Sequence, residues 1–464
     1  MSRPAAAGAA PSVVLYTSDL RLHDHPPLRA ALAAGGPVVP LFVTDPGVAA
    51  AGFAVPNRLA FLADCLADLD AGLRARGGRL VLRTGDPVAE VCAAVRESGA
   101  REVHLAAGAS GYAQAREDRL RDALAAQGCA LHVHDAVITA VAPGELLPAG
   151  SDHYAVFSAY FKRWATAALR RPVAAPRKVP VPDGLSSAPL PARSKVTGTS
   201  PGLAPGGEDA ARARLTGWLR GAVDGYEEGH DDLGGDRTSR LSPHLHFGTL
   251  SAAEAVARAR SRGGPGAEAF VRQLCWRDFH HQLLAARPEA ATADYRPRHD
   301  RWRTGGAARE ETEAWRAGRT GYPMVDAAMR QLAHEGWLHN RGRMLAASFL
   351  AKTLYVDWRV GARHFLDLLV DGDVANNQLN WQWVAGTGTD TRPNRVLNPV
   401  RQGLRYDPEG RYVHRWVPEL ADLPAPLVHQ PWKLPAAERA RLDYPEPVVD
   451  LADALARFKA ARSG

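Results

Sequence analysis

The chain has 464 residues, enough for two or three domains with sizeable cores, and its 57 Lys+Arg against 50 Asp+Glu leave a formal charge of +7. That is a mild bias toward polyanions, not a nucleic-acid signature by itself. Four cysteines (Cys65, Cys92, Cys129, Cys275) include no CxxC pair, so they point to neither a zinc site nor a disulfide framework and fit a reduced, cytoplasmic compartment. The opening MSRPAAAGAAPS is short and breaks into a strand at once, so no secretory signal is expected. No apolar run is long enough to span a membrane.

Residues 13–16 (VVLY) and 38–43 (VVPLFV) predict strands, the second ending in a turn at Thr44-Asp45-Pro46-Gly47. Leucines 59, 62, 66, 69 and 73 keep helical spacing over 58–75. A third strand is expected at 79–83, then a helix over 86–97 with an Asp-Pro start. Strands at 103–105 and 131–134 flank a charged helix at 112–127. Strands alternating with helices imply a doubly wound parallel sheet. No GxGxxG follows the first strand. Asp19, Arg21 and Asp24 lie at its carboxyl end, where such folds bind ligands; salt bridges and a helix cap are the more ordinary account of them.

From 143 to 207 prolines recur among Ser, Gly and Thr, which reads as a surface connector with a helix near 154–169. Beyond Asp209 the pattern is helical, until a Pro-rich, irregular portion after Asn398. The organisation this predicts is an α/β domain over 1–138, a linker over 139–208 and a large all-α domain over 209–464.

The densest chemistry lies at 371–390, DGDVANNQLNWQWVAGTGTD. Amides buried without partners are costly, and a solvated helix does not spend two tryptophans. Two readings fit: a dry pocket around a flat, polar-edged aromatic ligand, or a buried helix whose amides cap neighbouring segments. Ten of the eleven tryptophans lie at or beyond Trp218, several beside arginine or carboxylate, as in Trp276-Arg277-Asp278. Such pairs serve either as core with snorkelling surface or as a stacking surface for nucleic acid.

Thr238-Ser239-Arg240-Leu241-Ser242 reads as a helix start whose hydroxyls cap exposed N–H groups and attract an anion such as a pyrophosphate. Three long segments follow it: FVRQLCWRDFHHQL (270–283), TGYPMVDAAMRQLAHEGWLHNRGRMLAASFLAK (320–352) and DGDVANNQLNWQWVAGTGTDTRPNRVLNP (371–399). With these in order, the chain resembles the DNA photolyase/cryptochrome family, and most of all its bacterial class I photolyases for cyclobutane pyrimidine dimers. The resemblance runs from SDLRLHD (18–24) to YPEPVVD (444–450).

The resemblance implies an α/β antenna domain joined to an α-helical domain that holds non-covalent FAD, with UV-damaged DNA as partner and a monomer as the working unit. Tyr226, Thr238, Ser239, Arg240, Leu241 and Ser242 would hold the FAD phosphates and ribose. Gln273, Arg277, Trp337, Asn340, Arg343, Asp371, Gly372, Asp373 and Asn377 would line the pocket, with Arg343 and Asp371 as a buried ion pair beside the flavin. Asn377 matches the residue facing flavin N5, where a neutral amide favours the reduced, anionic flavin. Excited reduced FAD would then donate an electron to a flipped-out dimer, the ring would split, and the electron would return. Trp276 and Met344 match the wall that contacts the dimer. Asn340, Arg341, Arg395 and Gln402 match DNA contacts. Trp381, Trp358 and Trp302 match a relay that photoreduces oxidised FAD.

Three positions depart from the family pattern. Gln273 stands where cyclobutane-dimer photolyases typically carry glutamate, which resembles six–four photolyases; His339-Asn340 instead matches the cyclobutane type. Tyr112-Ala113 replaces the Asn-Glu that binds folate, which turns the antenna expectation from methenyltetrahydrofolate toward 8-hydroxy-5-deazaflavin or none. His25-Pro26 replaces the usual Asn after DLRLHD. A light-driven repair enzyme is therefore expected, with a six–four photolyase or a cryptochrome-like photoreceptor as the alternatives. A receptor usually carries an extension, whereas this sequence stops shortly after YPEPVVD.

Overall fold

The computed structural model describes residues 9–462. Most of the segment on which the expectation of no secretory signal rests lies outside them. Two compact units divide the chain. The first comprises the described part of Met1–Gly198 with Pro205–Arg220 and Arg240–Pro288; the second comprises Thr199–Ala204, Gly221–Ser239 and the described part of Glu289–Gly464.

In the first unit β1 (Ser12–Tyr16), β2 (Val38–Thr44), β3 (Val81–Thr84), β4 (Glu102–Ala106) and β5 (Ala130–His134) form one sheet. All its pairs are parallel, in the order β3-β2-β1-β4-β5. The chain winds outward from β1 to β3, then returns to place β4 on the other side of β1, so the switch point lies between β1 and β4. β1 and β2 are buried almost throughout, which is why they read as continuous apolar runs. β4 and β5 alternate instead. Val103 and Leu105 join a core with Leu120 and Leu124, Leu131 and Val133 pack against it, and the even-numbered residues face away.

Local chemistry sets the boundaries. Asp86 accepts from the backbone N–H groups of Val88 and Ala89 to open the Pro87–Ser98 helix, and Gly99 closes it at φ 69°. The expected turn at Thr44–Gly47 is a helix start: Asp45 accepts from Gly47 N at 2.7 Å and caps the Pro46–Ala50 helix. The third strand begins later than its pattern suggests, because Leu80 N donates to the Asp70 carboxylate and not to the ladder. A helix does form in the proline-rich connector, at Phe157–Ala165.

The residues after β1 settle as ion pairs and a cap. Asp19 pairs with His25 at 2.9 Å, and Asp24 pairs with Arg170. His25, not an aspartate, caps the Pro26–Ala33 helix through Leu28 N. Arg21 takes no carboxylate; its buried guanidinium donates to the carbonyls of Asp24, Val137 and Gly248.

The second unit is helical. Pro323–Glu335, Asn340–Ser348, a π-helical turn at Phe349–Thr353, Trp358–Leu368 and Val374–Ala385 surround one core that includes Trp315, Phe349, Trp358, Phe365 and Trp381. Gly361 permits a close approach there: a Cβ on it would lie 2.2 Å from the ring of Trp381. The portion after Asn398 is more regular than its prolines suggest. It holds helices Pro399–Tyr406, Arg411–Trp416 and Leu451–Arg462, with prolines confined to first turns and connections.

Candidate functional site

The 371–390 run becomes a capped helix. Asp373 accepts from the backbone and side-chain nitrogens of Asn376, both at 2.7 Å, and so opens Val374–Ala385. The two readings of its amides divide between residues. Gln378 donates to Ala291 O, while Gln382 donates to Ala290 O and Ala293 O and accepts from Tyr295 N; these amides tie down a neighbouring segment. Asn377 is different. Both of its amide hydrogens are engaged, by Ala362 O at 3.0 Å and by the Gln378 side chain at 2.9 Å. What it offers a ligand is therefore its oxygen, an acceptor.

Asp371 and Arg343 form the expected ion pair, Nη2 to Oδ2 at 2.7 Å, with Asp371 buried and Arg343 half-buried, and Arg343 Nε also donates to Leu338 O. The other Asp371 oxygen is buried without a partner. Gly372 beside it is buried, as is Trp337. His339, which the sequence offered only as half of the His339-Asn340 pattern, caps the Asn340–Ser348 helix by accepting from Arg341 N at Nδ1. Burial pushes its pKa down to about 4, so the imidazole is neutral with its proton on Nε2, and that buried Nε2–H has no partner either. Its carbonyl accepts from Arg343 N, which links the two orphans through one arginine. Thr238 Oγ1 is a third such atom. Leaving a buried polar atom unpaired costs about 1–3 kcal/mol. A ligand with an N–H for Asp371 and an oxygen for His339 would relieve the first two, an oxygen would likewise suit Thr238, and FAD carries both kinds of group. Tyr226, in the same unit, is buried at the start of the Tyr226–Gly229 turn.

The expected DNA contacts of this unit are placed unequally. Asn340 is exposed and Met344 half-buried, one helical turn apart, with Asn340 Nδ2 3.9 Å from the Met344 sulfur. Arg395 is exposed, with its guanidinium 5.3 Å from the Trp383 ring centroid. Its loop is pinned by the buried Lys352, which donates to Pro393 O and Arg395 O at 2.8 Å. Arg341 is already committed: it makes a two-bond pair with Asp231 and lies 4.3 Å over the Tyr406 ring. Gln402 is half-buried.

Trp381 and Trp358 are buried and Trp302 is half-buried. Trp381 meets Phe365 edge-on at 5.0 Å and Trp315 at 6.2 Å. The Trp358 indole donates to Asp294 at 2.9 Å, and Trp302 lies 5.0 Å from Tyr355. Asp294 and Asp231 are functional candidates that the sequence did not reveal, because each lies far along the chain from its partner.

In the first unit the Pro265–Ala286 helix carries three of the expected residues. Gln273 is exposed, and Trp276 stacks on Phe157 with centroids 3.6 Å apart. Arg277 is buried and donates to Ile138 O and Leu245 O. The Thr238–Ser242 segment leads into the Ser242–Phe247 helix, as expected; its N-cap position is Leu241, which makes no side-chain cap bond, and Arg240 sits at φ 51°. Tyr112 is exposed, and its hydroxyl donates to the Asp45 carboxylate, with its pKa pushed up to about 12 by desolvation and by that carboxylate.

The comparisons agree with one another. Residues 12–181 match the family described as DNA photolyase, and residues 270–463 match the FAD binding domain of DNA photolyase. A deoxyribodipyrimidine photo-lyase of Streptomyces griseus is 67% identical over 97% of this chain and 99% of its own. One from Halobacterium salinarum is 38% identical over 96% and 98%. Among solved structures, a bacterial class III photolyase from Agrobacterium tumefaciens superposes with a TM-score of 0.92 at 33% identity, covering 100% of this chain and 99% of that one. With sequence relatives matching nearly end to end and the parallel sheet and helical units in place, this chain belongs to the DNA photolyase/cryptochrome family.

Proposed function

We propose that the chain is a light-driven deoxyribodipyrimidine photo-lyase that binds FAD and splits cyclobutane pyrimidine dimers in damaged DNA. The observation that carries this beyond family membership is the Asp371 carboxylate, held by Arg343 through one oxygen and buried without a partner at the other. When bound, reduced FAD would supply the photoexcitable electron that ring splitting needs.

The protein's part is positioning and electrostatics. Arg343 holds one Asp371 oxygen and leaves the other as an acceptor for a ligand N–H. Asn377 presents an oxygen and no acidic proton, which favours an anionic, fully reduced ring. Neutral His339 and Thr238 offer hydroxyl and N–H groups to ligand oxygens. Trp276, Asn340 and Met344 serve the lesion, and Arg395 and Gln402 serve its backbone. Trp381, Trp358 and Trp302 pass electrons inward when the cofactor is oxidised. Gln273 hydrogen-bonds the dimer without supplying a proton. The organisation read from sequence, antenna over 1–138, linker over 139–208 and catalytic portion over 209–464, belongs to this proposal. So does a monomer working in the cytoplasm. Two observations accord with the latter: the four cysteines are unpaired, and among the described residues no helix is long and apolar enough to cross a membrane.

The test is blue-light turnover on oligonucleotides carrying a single defined lesion, with products separated by chromatography. Monomeric pyrimidines from the cyclobutane dimer are the expected result. Repair of six–four lesions alone would replace this assignment with the six–four one, and no light-dependent turnover of either would favour a photoreceptor.

A further inference from the structure

The first unit contains a cluster of imidazoles that the flavin and DNA chemistry leaves unused. We propose that Glu102, His104 and His132 form a binding site for a divalent transition-metal cation of the zinc type at the β4–β5 edge of the sheet.

The strand pattern builds the cluster. Val103, Leu105, Leu131 and Val133 face the core, so Glu102, His104, His132 and His134 share the opposite face. The register pairs His104 directly with His132, and their rings stack at 4.7 Å. One ligand atom from each of Glu102, His104 and His132 lies within 4.8 Å of the others. His104 Nε2 is 3.3 Å from a Glu102 oxygen, and His132 Nε2 is 3.9 Å from the other. Zinc bonds of about 2.0–2.1 Å in a tetrahedron set ligand atoms about 3.3–3.4 Å apart, so small side-chain rotations complete the geometry.

The supporting shell is also present. His104 Nδ1 lies 3.0 Å from His134 Nε2, and such a bond aims the opposite nitrogen of His104 at a cation. His104 is 4% exposed while Glu102 and His132 are 38% and 45% exposed. One anchored ligand and two accessible ones leave an entry path from solvent, with water completing the coordination. Two imidazoles and one carboxylate suit zinc, nickel or copper, and not calcium or magnesium. β5 is the edge strand, and a cation bridging it to β4 would hold the edge in register.

The experiment uses the full-length flavoprotein, stripped with chelator and dialysed against micromolar zinc, with bound metal counted by atomic emission. Wild type should retain about one zinc per chain. His132→Ala, at an exposed position, and Glu102→Gln, at a half-buried one, should lose it, and His134→Ala should weaken retention by roughly 10- to 100-fold. His334→Ala, outside the cluster, should match wild type. Zinc should also raise the thermal midpoint of wild type and not of His132→Ala. Equal zinc in wild type and His132→Ala, or none in either, overturns the site.

Discussion

The indole N–H of Trp358 donates to the Asp294 carboxylate at 2.9 Å, and the same carboxylate receives Arg359, whose guanidinium lies 4.7 Å from the Trp358 ring centroid. A guanidinium beside an indole opposes positive charge on that ring, while a carboxylate on its N–H favours it. In the proposed relay, Asp294 would set how readily Trp358 gives up an electron. Asp294→Asn keeps an acceptor for the indole and removes the charge. It should slow light-driven reduction of oxidised flavin several-fold, read by transient absorption, and leave repair by chemically reduced enzyme unchanged. A wild-type photoreduction rate would make Trp358 a packing residue only.

The Arg343–Asp371 pair predicts an asymmetric response. Removing one partner of a buried pair leaves an uncompensated charge, a loss of about 3–5 kcal/mol. Arg343 is 26% exposed on its side chain, so the lower end applies. Arg343→Ala should unfold at lower urea and lose FAD during purification. The double substitution Arg343→Met with Asp371→Leu should recover much of the stability and none of the FAD. FAD retention by that double variant would show the pair to be structural alone.

Acid should destabilise the fold earlier than its carboxylates require. His134, His244, His339 and His364 each have a pKa lowered from 6.5 to about 4, with burial the first cause. Between those values the unfolded chain binds these protons and the folded chain does not. Their stabilising contribution is therefore complete above pH 6.5 and is lost as pH falls toward 4. Urea midpoints should fall from pH 7 to pH 5. His364→Phe, a change made against Trp315 at 5.4 Å, should flatten that slope. A midpoint constant over this range would refute the assignment.

DNA binding should weaken with salt, and the two arginines should differ. Arg395 is exposed, so Arg395→Ala should reduce the salt slope by about one. Arg341 is already neutralised by Asp231, so Arg341→Ala should change the slope less while weakening lesion affinity through lost packing on Tyr406. Filter binding at several salt concentrations separates the two. Equal slope changes would mean that Asp231 releases Arg341 to a phosphate.

Much of the fold was legible because it rests on local signals. The Asp86-Pro87 start, the leucine spacing over 58–75 and the buried runs of β1 and β2 each have one physical reading. What escaped depends on distant partners. The start of β3 was misplaced because Asp70, on another element, takes Leu80 N. Gln378 and Gln382 resemble ligand-binding amides until the carbonyls of 290–293 appear beside them. His339 could have been found, since a histidine just before a helix is placed to cap it, but its orphaned Nε2–H is visible only in three dimensions. The family resemblance supplied the candidate roles of Asn377 and Trp381, which spacing alone could not separate from core packing.

Gln273 stands where the family resemblance leads one to expect glutamate in a cyclobutane-dimer enzyme. It is exposed on the Pro265–Ala286 helix, near Trp276, whose ring is fixed against Phe157. An exposed amide with freedom to rotate can hydrogen-bond a dimer carbonyl, yet it has no proton to give to a radical anion. If orientation is its role, Gln273→Glu should change the cyclobutane repair yield little. If proton supply or charge limits ring splitting, the same change should raise it, more at low pH, where the carboxyl is protonated. Gln273→Ala should be worse than either, because losing a hydrogen bond to a charged partner costs roughly 1.5–3 kcal/mol, about ten- to a hundredfold in the step it serves. The measurement is single-turnover repair with fully reduced flavin across pH for the three proteins. An alanine variant as active as wild type would remove Gln273 from the lesion chemistry.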